Sequence, residues 1–184
     1  MINLKRFSVF ELVVMALLAS IGLAAKPVVV PLAHMITVPL GIPGGAIAGG
    51  LYMFWIVLAG GLVKKRGAAT ITAFTQAIIV MVTGLMGSHG LLSIITYTLP
   101  GLIIDVYLII FRRHLSTSTD FFVAGILANM AGAYMTILVF FRLPLIPTLT
   151  SLSAAVFSGG IGGLIAYRLY LSIMSTGVIS SDDT

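Results

Sequence analysis

The side chains best able to do chemistry in this apolar chain are Lys26, His34, Tyr52, Trp55, Gln76, His89, Tyr97, Asp105 and Asn129. Trp55 is the only tryptophan. It lies about halfway along an apolar run, whereas membrane tryptophans collect at the headgroup level, so its indole needs a buried partner or a ligand. Gln76 sits among apolar residues too, and an amide at mid-depth in a membrane needs several hydrogen-bond partners. Tyr97, Gly101 and Asp105 fall on one helical face by their four-residue spacing, and Gly101 leaves a gap between the two polar side chains. These residue types suit capture of a small, neutral or planar molecule: Tyr52, Trp55 or Tyr97 would stack on it, and Gln76, His89 and Asn129 would hydrogen-bond to it. Lys26 and His34 are either ligand contacts or polar residues at the membrane interface. Asp105 is a functional candidate because an ionisable group inside a span is costly, yet it lies near a basic end, where a pair with an arginine is the alternative.

Several chemistries are excluded. The chain has no cysteine, so it has no disulfide framework, thiolate metal site or cysteine nucleophile, and three scattered histidines do not make a metal site. The cluster Gly44, Gly45, Gly49 and Gly50 is not GxGxxG, follows no strand, and is accompanied by no GK[ST] anywhere, so nucleotide binding fails its context test. No HExxH helix, paired intramembrane carboxylates or Ser-His-Asp arrangement occurs, so neither an enzyme nor a cofactor is expected. A proton or sodium carrier would place several ionisable groups along a path, whereas only Asp105 lies deep in a span.

Hydrophobic residues make up 59% of the sequence and charged residues 8%, and the mean hydropathy of +1.17 excludes a soluble core under a polar shell. A span takes roughly 20 apolar residues, so the length allows six helices and no soluble catalytic domain. They are read at 7–25, 44–63, 67–86, 91–111, 121–141 and 148–171. Residues 1–175 then form one membrane domain, and 176–184 a disordered tail. The first run is longer than the apolar part of a signal peptide and is kept as a helix. Pro27, Pro31, Pro39 and Pro43 make 26–43 a loop folded over or into the bundle. Ser118, Thr119 or Asp120 would cap the fifth helix.

Orientation follows from the basic residues. With the N-terminus inside, eight of the ten Lys and Arg residues fall on the cytoplasmic side, leaving Lys26 and Arg142 outside. Both termini are then cytoplasmic, and 26–43, His89 and Arg142 share the outer face. Glu11, near the cytoplasmic end, can snorkel or pair with a basic loop. Small residues recur at four-residue spacing as Ala16, Ser20 and Ala24, as Gly45 and Gly49, and as Gly159 and Gly163, marking faces where a second helix can come close. Packing within the bundle and docking of a separate subunit are both open to the first strip.

In length, six spans, N-in topology and the strip within MALLASIGLAA, the chain resembles the substrate-binding S components of energy-coupling factor (ECF) transporters. The most specific likeness is LYMFWIVLAGGLVKKRGAA, followed by GSHG and LPGLIIDV. It is most similar to the YkoE-type branch, associated with thiamine or its hydroxymethylpyrimidine precursor, in which a tryptophan-bearing second helix precedes a basic-Gly-Ala-Ala start of the third. The resemblance implies an importer in the prokaryotic cell membrane: the S component binds a vitamin or precursor from outside, and a coupling subunit with two separate ATPase subunits drives release inside. It implies also that the first loop, here 26–43, gates the site, and that Ala16, Ser20 and Ala24 dock the coupling subunit, serine being a departure from alanine. Thiamine is a cation and would require an outward-facing carboxylate, whereas the third helix carries Gln76 and no acid; a neutral pyrimidine or another cofactor precursor is the other candidate. The competing expectations are a self-sufficient small transporter or channel, and a structural subunit that binds no ligand.

Overall fold

The computed structural model describes residues 7–84 and 90–177. They form α1 (Val9–Thr37), α2 (Gly44–Val63), α3 (Ala68–Thr83), α4 (Leu92–Ile110), α5 (Ser118–Thr136) and α6 (Leu145–Ser175), with no strand among the described residues. Five of the helices are long and apolar enough to cross a membrane. α3, with 16 residues, rises only about 24 Å at 1.5 Å per residue. The sequence led us to expect a longer third helix, 67–86, but α3 ends at Gly84, whose φ of 63° is left-handed.

The proline-rich stretch is mostly helical, contrary to the expected loop. Instead of a loop over 26–43, α1 continues through Pro27 and Pro31 to Thr37, and only a 3-10 turn (Val38–Leu40) and residues 41–43 connect it to α2. Each proline removes one bond from the helical ladder, but residues four apart lie on the same face, so both defects fall on one side. Membrane helices accept such prolines where neighbours re-satisfy the freed carbonyls. Lys26 and His34 are therefore carried on a helix. The chain reverses at Gly41, whose φ of 67° suits a residue without a side chain.

α2 occupies the span read from the sequence and is the central helix, buried along most of its length. It packs on α1, α3, α5 and α6, which its glycines allow. A Cβ at Gly162 on α6 would collide with the Gly50 carbonyl, and one at Gly50 would collide with Ser158. Gly159 and Gly163 likewise meet the α5 backbone at Gly125 and Phe121.

The bundle has one basic end, where all three carboxylates of the described residues are engaged. Ser8 and Glu11 form a capping box at the start of α1, and Glu11 is also paired with Lys65 at 2.8 Å, which satisfies the expected pairing with a basic loop. Thr117 caps α5, with Asp120 completing its capping box and pairing with Arg113 at 3.0 Å. The third carboxylate, Asp105, binds amides at the start of α3. α5 runs on into a π-type turn (Ile137–Phe141), and α6 starts earlier than expected because Pro147 falls in its first turn, where a missing N–H is tolerated. Of the tail 176–184, expected to be disordered, Thr176 and Gly177 close α6 in a turn, and 178–184 lie outside the described residues.

Candidate functional site

Five of the sequence-predicted residues converge from four helices. Lys26 of α1 donates a hydrogen bond to the Tyr97 hydroxyl of α4, and its ammonium lies 4.2 Å from the centroid of the Tyr97 ring and 5.3 Å from that of Tyr52 on α2. One turn along α2 from Tyr52 is Trp55, stacked on Phe54 at 4.4 Å between ring centroids. The Trp55 indole nitrogen is buried and has no acceptor among the described residues. On α3, Gln76 is 3% exposed, and its amide nitrogen donates to the Ala19 carbonyl of α1 at 3.3 Å. The arrangement combines three aromatic rings with N–H donors from a lysine, an amide and an indole. Rings stack on a planar molecule, and donors fix its acceptors.

Gly22 was not singled out by sequence reasoning, yet the cluster depends on it. A Cβ there would come 2.6 Å from the Gln76 amide nitrogen and 3.2 Å from Cδ1 of Trp55, so its missing side chain is what lets α3 and α2 bring these groups against α1. The available signal was the single glycine of the first apolar run, 7–25, a weak one on its own.

The remaining predicted residues lie elsewhere or have other tasks. Asp105 reaches from α4 to the start of α3, accepting hydrogen bonds from the Gly67 amide at 3.0 Å, the Thr70 amide at 2.8 Å and the Thr70 hydroxyl at 2.5 Å. Its carboxylate thereby satisfies amides that the first turn of α3 leaves open, and its charge complements the positive end of the helix. The arginine pair considered from the sequence does not form, since Arg113 is taken by Asp120. Asn129 donates from α5 to the Ala46 carbonyl at 3.0 Å and to the Ala155 carbonyl at 2.9 Å, clamping α2 and α6 together. His34 packs its ring against Gly44 at the start of α2. His89 lies outside the described residues.

Ala16, Ser20 and Ala24 are all exposed on α1. The serine does not make this strip polar, because its hydroxyl donates back to the Ala16 carbonyl at 2.8 Å. Val13, Leu17 and Ile21 beside it are exposed as well, so this apolar face of α1 has no partner among the described residues.

Three comparisons bear on this arrangement. A family model described as "ABC-type cobalt transport system, permease component" matches residues 10–131, a range that contains all five clustered residues. Among solved structures, the chain is similar to one described as "Crystal structure of an S-component of ECF transporter", with a TM-score of 0.78 and 20% sequence identity, covering 94% of this chain and 88% of that one. No curated protein matches the chain.

Proposed function

Because the chain belongs to the family of ABC-type cobalt transport system permease components, a multi-pass membrane transport family rather than an enzyme family, we propose that it is the substrate-binding S component of an ECF-type importer. It captures a small planar molecule from outside and releases it inside through a coupling subunit driven by two ATPase subunits. The observation that carries this reading is the convergence of Lys26, Tyr52, Trp55, Gln76 and Tyr97 from four helices. The S-component fold of a solved neighbour supports it.

Cobalt appears in the family's description, but the residues favour an organic substrate. The described residues hold no group of three His, Cys, Asp or Glu side chains that could ligate a metal ion, and the charged member of the cluster is an ammonium, which repels a divalent cation. A vitamin or vitamin precursor suits stacking between aromatic rings, with hydroxymethylpyrimidine and thiamine the first to test. We read the bundle as six crossings with both termini in the cytoplasm, which sets the basic end inside and the cluster towards the outer half.

The test is a titration of the purified full-length chain, without partners, against vitamins and their precursors. Trp55 is the only tryptophan, so its emission reports on this site alone, and a ligand that binds the folded state also raises the melting temperature by mass action. The expected result is a saturable emission change with submicromolar half-saturation, weakened at least tenfold in Gln76→Leu. A panel in which nothing alters emission or melting contradicts the proposal.

A further inference from the structure

From the charge balance around the cluster we infer that Lys26 is the specificity-determining residue, selecting a planar heterocycle that is uncharged or anionic and rich in acceptors, and rejecting a cationic one. This rests on the reading of the cluster as the substrate site. Every carboxylate of the described residues is committed at the basic end: Glu11 to Lys65, Asp120 to Arg113, and Asp105 to the amides that open α3. The other two, Asp182 and Asp183, lie outside the described residues. Lys26 therefore faces the two tyrosine rings and one hydroxyl with no counter-charge among the described residues.

A cation held only by ring faces and a phenol is weakly compensated for the water it has lost. A carboxylate or a strongly accepting oxygen on the ligand would complete it through a charge-assisted hydrogen bond. The second observation points the same way. The buried Trp55 N–H lacks an acceptor among the described residues, and a buried donor left unpaired costs free energy until a ligand supplies an acceptor. An indole N–H and an ammonium can only donate. The site thus presents N–H donors around aromatic faces and, among the described residues, no anion for a cationic ring to approach.

The test uses ring series that differ chiefly in charge, read by Trp55 emission on the full-length chain: hydroxymethylpyrimidine, the same pyrimidine as its 5-carboxylate, and the same pyrimidine as its protonated 5-aminomethyl form; then pyridine-3-carboxamide, pyridine-3-carboxylate and the N-methylpyridinium carboxamide. Within any series that binds, the uncharged and anionic members should bind at least tenfold more tightly than the cation. Lys26→Met should erase that preference, and Lys26→Arg should retain it, with melting temperature measured to show that each variant folds. A cation that binds as well as its partners, or a preference unchanged in Lys26→Met, overturns the role of Lys26 and leaves the substrate-site reading standing. Failure of both series, together with a silent vitamin panel, sinks the substrate-site reading itself.

Discussion

Gly162→Leu is expected to prevent assembly of the bundle. At this crossing α6 lies against the α2 backbone so closely that even a Cβ at Gly162 would overlap the Gly50 carbonyl. Backbone, unlike a side chain, has no alternative rotamer in which to give way. The crossing is also tied by polar contacts: the Ser158 hydroxyl donates to the Ile47 carbonyl and accepts from the Gly50 amide at 3.0 Å, while Asn129 bridges Ala46 and Ala155. A leucine would push all of these apart, a loss of about 3 kcal/mol or more by the usual cost of overpacking with several unmade hydrogen bonds added. Melting of the detergent-purified protein and its elution as a single species provide the readout. Leu164→Val, at an exposed position on α6, should leave both unchanged. A Gly162→Leu protein that melts normally would mean that α2 and α6 do not pack this closely.

The second large effect is a separation of binding from transport. Ala16→Trp combined with Ser20→Trp adds two bulky side chains to an exposed face of α1, on the side away from the ligand cluster, where Ala19 and Gly22 meet Gln76. If that face docks the coupling subunit, the double variant should lose the complex by at least a hundredfold in affinity, about 2.7 kcal/mol, and lose transport altogether, while ligand titration of the isolated chain is unaffected. Co-purification with the coupling subunit and Trp-independent thermal shift provide the two measurements, since the variant adds tryptophans. Loss of ligand binding along with the complex would instead give the strip a folding role.

Much of the fold was legible in the sequence because membrane helices announce themselves by composition. α2 matched its expected span, bounded by Pro43 and by Lys64, and the Glu11 pair followed from an acid close to a basic loop. Aromatic and amide residues stand out against apolar surroundings, which is why Tyr52, Trp55, Gln76 and Tyr97 are recognisable as candidates from residue type and position alone. What was hidden depended on backbone groups, which have no letter in a sequence. Asp105 looked like a ligand contact or an arginine partner, whereas its partners are amides of Gly67 and Thr70. Asn129 reads by residue type as a candidate ligand contact, and only the structure shows that its amide clamps two carbonyls. The proline-rich stretch misled for a related reason. Pro27 and Pro31 cost hydrogen bonds that would break an isolated helix, and whether a packed bundle tolerates the loss is decided by its neighbours.

We expect this chain to bind its substrate but not to move it unaided. The most direct test is paired measurement on one preparation in lipid vesicles: bound ligand at equilibrium, and accumulation inside the vesicles under an imposed proton or sodium gradient. The chain alone is expected to bind ligand saturably and accumulate none, with uptake appearing only when the coupling subunit, both ATPase subunits and ATP are supplied. Accumulation driven by the gradient in vesicles containing this chain alone would contradict that claim and establish a self-sufficient transporter.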